Sequence, residues 1–322
     1  MGVDRWRPAT DSQEDAELRR YWSSVLERMK SWWKMQQVSS LAISDSGSDA
    51  GGSYNDDCWG SVSTAVWILD GATGLSKERL FPASPSDAQW FVSAVDSELR
   101  SSEWSKATRS LLQSVVQRVR HRFHCEAVGR TDQVSLWPLA SFALIRVREG
   151  GVEFANLGDC RILWRSPDGR AVKSFGSSRI TQLDGNVIKE IERLHREGYA
   201  SHELVRQAIV PMLEANRKLK NSPEGYWILD VSGEGVSHLQ TTVVDAGDVD
   251  TVLLCTDGYY RLVDTYHRRT DQSLLSDSAN SGISAMIREL REIERMDEQC
   301  LKFPRMKPSD DATGVLAFAK CG

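Results

Sequence analysis

What is scarce in this chain narrows its chemistry first. Its six cysteines (Cys58, Cys125, Cys160, Cys255, Cys300, Cys321) are scattered, with no CxxC pair. Zinc-site spacing is therefore missing, and reduced thiols are a simpler expectation than a disulfide framework. The six histidines (His121, His124, His195, His202, His238, His267) form neither HxH nor HExxH, so the common histidine metal signatures are absent too. His121 and His124 lie one helical turn apart on a basic stretch and are expected to be solvated. No apolar run approaches the length of about 20 residues that a membrane span needs. Acidic residues occupy the first twenty positions where a secretory leader needs an apolar stretch, so a cytoplasmic location is expected. A net charge of −5 leaves no electrostatic footprint for a nucleic-acid backbone. No internal repeat is visible.

What is present reads as a globular protein. Apolar residues make up 40% and charged residues 26% of the 322 positions, enough to bury a core and too balanced for wholesale disorder. The length fits one large domain at 41–322 preceded by a tail at 1–40. Within 13–35, Leu18, Trp22, Val25, Met29 and Trp32 recur at helical spacing with Tyr21, Leu26 and Trp33 beside them, which predicts an amphipathic helix. Docking on the main domain is the expectation, and a partner-binding arm the alternative. The Ser-, Gly- and Asp-rich stretch that follows reads as a loop.

Further on, Ala65–Leu69 is a short apolar run ending at Asp70-Gly71. Ser86 with Gln89 forms a capping box before a helix carrying Trp90, Phe91, Val95 and Leu99. Leu111, Leu112, Val115, Val119 and Phe123 mark a second helix. From Val134 the texture changes. Strands at 141–147, 152–157 and 161–164, joined by tight Gly-containing turns, predict an antiparallel meander. Residues 184–219 read as mostly helical, 226–229, 238–244 and 251–255 as strands, then helices again, and a closing strand at 313–318. Strand groups alternating with helix pairs predict an α+β domain in layers.

Acidic residues recur at strand ends and tight turns: Asn55-Asp56-Asp57, Asp70-Gly71, Gly158-Asp159, Asp257-Gly258 and Asp310-Asp311. Strand ends are rigid, and a following glycine admits close backbone approach. Carboxylates converging from such positions would repel one another unless cations stood between them. All-oxygen ligation suits Mg²⁺ or Mn²⁺. Any one Asp-Gly pair is an ordinary turn, and Asp168-Gly169 and Asp184-Gly185 are read as such, without a role.

In order, the segments NDDCWG, AVWILDGATGL, EFANLGDCRILW, VLLCTDGYYRLVD and SDDATGVLAF resemble the five conserved motifs of the metal-dependent serine/threonine protein phosphatases of the 2C type. The resemblance runs from about 41 to 319. It implies a four-layer α/β/β/α sandwich with two central antiparallel sheets flanked by helix pairs. It also implies two Mn²⁺ or Mg²⁺ ions and possibly a third. By resemblance, Asp57 and Asp70 are primary ligands with the Gly71 carbonyl beside them, and Asp56 acts through water. Asp257 and Asp310 bind the second ion, and Asp159 with Asp257 a weaker third. Asp311 falls where the family often has Asn, and could exchange roles with Asp310. The implied reaction is attack by a metal-bridging hydroxide on the phosphorus of a phosphoserine or phosphothreonine in a protein substrate.

Two departures stand out. The stretch AISDSGSDAGGSYNDD holds no arginine shortly before the NDDCWG segment to grip phosphate, which leaves the metals or an arginine from elsewhere. Arg161 is one candidate, with a salt bridge to Asp159 as its alternative role. Ala72 stands where many relatives have His after Asp-Gly. The missing arginine favours a second reading, a weak or inactive module that binds phosphoprotein or a partner without turnover. A third reading is a scaffold merely stabilised by cations. Residues 188–226 occupy the place of the family's variable flap. There Arg217, Asn221, Gly225, Tyr226 and Trp227 could shape a groove, with Tyr226 and Trp227 more simply packed aromatics.

Overall fold

The computed structural model describes residues 21–25, 38–72, 74, 78–167, 169, 171–176 and 179–321. Two antiparallel sheets form its centre. One holds β1 (Val38–Asp49), β11 (Ala312–Cys321), β10 (Thr251–Cys255), β6 (Arg161–Arg165) and β7 (Val172–Phe175), in that order. The other runs β2 (Asp57–Val62), β3 (Ala65–Ala72), β4 (Leu139–Arg148), β5 (Gly151–Leu157) and β9 (Gln240–Asp245), with the short β8 (Leu229–Asp230) on β4.

Strand β3 shows why the sheets stack. Side chains alternate faces along a strand. Val66 and Ile68 turn inward to meet Ile162, Val252, Leu254 and Val315 of the opposite sheet. Trp67 and Leu69 turn outward, under helices α1 (Asp87–Arg100) and α2 (Thr108–Glu126), against Phe91, Val95, Leu112, Val115 and Phe123. On the far side, Leu163, Leu253 and Leu316 pack beneath α5 (Asp257–Asp264), α6 (Asp271–Ser281) and α7 (Ile283–Arg295). Both sheets are thus covered on both faces, which is why their strands read as continuous apolar runs. The result is the expected α+β, four-layer α/β/β/α sandwich. Each fully buried large side chain contributes about 1.5–3 kcal/mol.

Helices α3 (Arg179–Arg196) and α4 (His202–Lys218) pair through a small core of their own, Val187, Ile191, Leu194, Val205 and Ile209. They occupy the flap-like part of the chain. Among the described residues no helix is long and apolar enough to cross a membrane.

Several local expectations need correcting. The Ser-rich segment is not all loop: β1 continues to Asp49, its residues 45–49 paired with 312–316 of β11. Propensity disfavours that stretch as a strand, but the partner strand and the Asp45 carboxylate, which accepts the Ile283 N–H at 2.7 Å, hold it. Residues 226–229 give only the two-residue β8, and Tyr226 is buried as a packed aromatic. Asp184-Gly185 is not a turn but lies inside α3. The capping box is half made: Ser86 Oγ accepts the Gln89 N–H at 2.8 Å, while the Gln89 amide turns to the Asn55 carbonyl. Of the amphipathic segment 13–35, only Tyr21–Val25 are described; they are helical, with Tyr21 and Trp22 exposed. The rest lies outside the described residues, as does Asp168.

Candidate functional site

One end of the sandwich gathers the predicted aspartates. Register alone sets Asp57 opposite Asp70 on adjacent strands β2 and β3. Asp257 is the first residue of α5, immediately after β10, with Thr256 at the N-cap. An anion is stabilised at a helix N-terminus. Asp310 and Asp311 lie just before β11, the neighbour of β10. Asp159 sits in the turn between β5 and β6, its backbone N–H donating to Ser141 Oγ and that hydroxyl donating to its carboxylate.

The two glycines after Asp70 and Asp257 do not open the site to solvent. They admit protein backbone. A Cβ on Gly71 would lie 2.4 Å from the Asp56 carbonyl oxygen, and one on Gly258 1.9 Å from the Asp311 carbonyl oxygen. Small size at these positions is what lets the acidic loops close on one another.

The side chains divide into those already engaged and those left open. Asp311 is engaged: its two oxygens accept the backbone N–H groups of Gly51 and Asp56 at 2.8 and 2.6 Å. It brackets the loop that carries Asp56, which separates its position from that of Asp310. Asp56 accepts the Ser86 hydroxyl. Asp57 is buried; its Oδ2 accepts the hydroxyls of Thr256 and Thr313 at 2.9 and 2.7 Å, while its Oδ1 is buried without a partner. Asp310 is held by Arg261 Nη2 at 2.5 Å and Lys307 Nζ at 2.7 Å. Among the described residues, no hydrogen bond or ion pair engages the carboxylates of Asp70 and Asp257.

The electrostatics show that these groups share one space. Burial pushes the Asp70 carboxyl well above the usual carboxylate range, and Asp257, Asp57, Asp159 and Asp310 each push it further. Burial likewise raises Asp57, against the pull of its two threonine hydroxyls, with Asp311 and Asp257 adding to the rise. Asp159 is pushed up to about 6 by burial and then by Asp257. Asp310 goes the other way: burial disfavours its charge, but Lys307 and Arg261 outweigh that and hold it low. Unpaired like charges in one low-dielectric region are the electrostatic signature of a cation site.

The same end of the molecule answers to a known family. A family model for protein phosphatase 2C matches residues 47–299, most of the chain. The chain belongs to the protein phosphatase 2C family. It is a protein-serine/threonine phosphatase by that membership. The match stops before Asp310, whose place in this phosphatase fold is set by β11 lying between β1 and β10. No curated protein matches by sequence. Among solved structures, the chain is similar to the phosphatase MsPP from Mycobacterium smegmatis, at 16% identity over 88% of this chain and 100% of that one, TM-score 0.49. It is similar to PppA from Pseudomonas aeruginosa at 16% identity over 88% and 99%, TM-score 0.48. It is also similar to the catalytic domain of PstP, solved with two manganese ions, at 14% identity over 87% and 98%, TM-score 0.47.

The donor set of this phosphatase suits hard dications. Every converging donor is oxygen, and Asp57 Oδ1 is a buried acceptor with nothing to accept. As placed, no three acidic, histidine or cysteine side chains among the described residues close around a common point. The carboxylates are neighbours in charge.

Sequence reasoning missed two residues here. Asp184, dismissed as a turn, stands on α3 facing the cluster across a cavity of ≈ 230 Å³ that Asp159, Asp184, Asp257 and Arg261 line together. Burial, followed by the charges of Asp159 and Asp257, pushes it up to about 8. Arg261, one helical turn beyond Asp257, is buried against Asp310. No local signal marks either one. Arg161 makes no ion pair with Asp159 among the described residues. Its Nη1 donates to the Gly176 carbonyl, and its guanidinium lies over the Tyr260 ring at 5.3 Å, on the rim of the same cavity. His121 and His124 are exposed, as expected. Arg217 donates to the Ala72 and Trp137 carbonyls at 3.4 and 3.3 Å, and Trp227 stacks on His238 with ring centroids 3.4 Å apart.

Proposed function

We propose that this phosphatase hydrolyses phosphoserine and phosphothreonine in proteins using two divalent ions, Mn²⁺ or Mg²⁺. Asp57, Asp70 and the Gly71 carbonyl would hold one ion, with Asp56 behind them. Asp257 and Asp310 would hold the other, beside Asp70. Asp159 with Asp257 would take a weaker third. The observation that carries this reading is the Asp70 carboxylate, engaged by no partner among the described residues and crowded by four other carboxylates. Bound there, dications supply neutralising charge and Lewis acidity toward water and phosphoryl oxygens.

The chain's own residues do the rest. Thr256 and Thr313 fix Asp57 in one orientation through its Oδ2, leaving Oδ1 free to ligate. Asp311 and Ser86 hold the loop that presents Asp56. Arg161, on the cavity rim, would meet the phosphate dianion in place of the missing upstream arginine by giving up its bond to the Gly176 carbonyl. The substrate is a phosphorylated protein.

Purified protein should hydrolyse para-nitrophenyl phosphate and a phosphothreonine peptide with Mn²⁺ and not with chelator. Asp70→Asn or Asp257→Asn should lower turnover about a hundredfold or more. Undiminished turnover in both variants would remove these residues from the chemistry. Phosphopeptide binding with no turnover under any metal would favour the non-catalytic module instead.

A further inference from the structure

Asp310 differs from the other carboxylates of the cluster. Asp70 and Asp257 have no partner among the described residues, whereas both oxygens of Asp310 are taken. Arg261 Nη2 lies 2.5 Å from Oδ2 and Lys307 Nζ 2.7 Å from Oδ1, and the Asp311 N–H donates to Oδ1 at 3.1 Å. Arg261 is fixed in place. It stands one turn after Asp257 on the same helix and is 7% exposed. Its Nη1 lies 3.9 Å from Glu294, which is itself buried and tied to Arg291 at 2.7 Å. Arg291 in turn donates to the Asp310 carbonyl at 2.8 Å. A guanidinium cannot shed its proton, so this charge is permanent. Lys307 is different: its side chain is 55% exposed, on a flexible stem that can swing into water.

We propose that Arg261 and Lys307 are built-in competitors for the ion that Asp257 and Asp310 would share, so that the phosphatase takes up its two ions unequally. The inference rests on the two-ion reading above. The ion near Asp57, Asp70 and Gly71 meets carboxylate oxygens that no cationic side chain engages among the described residues. The ion near Asp310 meets a carboxylate already neutralised on both sides, and must displace Lys307 and share with Arg261. Full loading therefore needs a higher metal concentration than the first ion does, and the exposed lysine is the part that yields.

Isothermal titration of the full chain with Mn²⁺ alone tests this. Wild type should show two steps whose dissociation constants differ at least tenfold. Lys307→Gln should strengthen the weaker step by about fivefold, the effect of one unit charge a few ångströms away under near-solvent screening, and leave the tighter step unchanged. Lys307→Arg should behave as wild type. Lys302→Gln, removing an exposed lysine of the same segment, controls for net charge. Arg261→Gln should strengthen the weaker step further; because Arg261 is buried, Lys307→Gln carries the test if that variant does not fold. Two wild-type steps that Lys307→Gln leaves alone, or that Lys302→Gln shifts equally, overturn the proposal while the two-ion reading stands. No Mn²⁺ binding by any form overturns both.

Discussion

At the scale of single residues, the site is defined by which carboxylates lack a counter-charge. Asp184 is the clearest case: among the described residues no hydrogen bond or ion pair engages it, and burial with the charges of Asp159 and Asp257, against the pull of Arg261, pushes its carboxyl up to about 8. In the unfolded chain it would release its proton near pH 4. Between those two values the folded chain binds the proton and the unfolded chain does not. The contribution of this group to stability is therefore fully present below about pH 4 and is lost as pH rises toward 8. Asp159, raised to about 6, acts in the same direction over a narrower window. Thermal melts in chelator should show Tm falling from pH 5 to pH 8, and Asp184→Asn should flatten that slope. A Tm that climbs with pH in wild type, or a slope unaffected by the substitution, would contradict the burial and crowding described for this residue.

Elements position those residues through tight backbone passages. The Asp57–Asp70 pairing follows from strand register, and a one-residue slip of either strand would turn that strand's aspartate to the other face, away from its partner. The approach of α5 to the Asp310-Asp311 segment depends on Gly258, where a Cβ would lie 1.9 Å from a carbonyl oxygen. Backbone cannot move aside as a flexible side chain can. Gly258→Ala should cost about 1–3 kcal/mol, read as a lowered Tm, and should weaken Mn²⁺ binding because Asp257 and Asp310 are forced apart. Gly52→Ala, where a Cβ meets nothing within 4 Å, is the matched control and should melt like wild type.

For the molecule as a whole, the acidic end concentrates carboxylates that burial and mutual repulsion disfavour in their charged form. A ligand that binds only the folded state stabilises it in proportion to its saturation, by about 2.7 kcal/mol at a hundred times its dissociation constant. Mn²⁺ should raise Tm by several degrees and chelator should reverse the shift, with a smaller rise at pH 5 than at pH 7.5 because protonated carboxylates ligate poorly. Equal stabilisation by Ca²⁺ and Mn²⁺ would instead match a merely structural cation. A groove of ≈ 970 Å³ lies at the other end of the strands, beside Arg146, Arg148 and Gly150-Gly151, remote from this chemistry.

The sequence by itself determined the layers and the acidic positions. Apolar runs such as Ala65–Leu69 and Thr251–Cys255 are long enough and bounded sharply enough to be strands in any context, and the aspartates at their ends are fixed by that. Tertiary structure alone decided what those aspartates meet. The Ser-rich half of β1 is a strand because β11, some 270 positions away, pairs with it. Asp184 is helical, not a turn, because α3 packs against α4. Lys307 meets Asp310 from three positions away in the same segment, but Arg261 reaches it only after α5 and that segment are brought together, so this part of the site's charge balance is a property of a distant contact that no local pattern encodes.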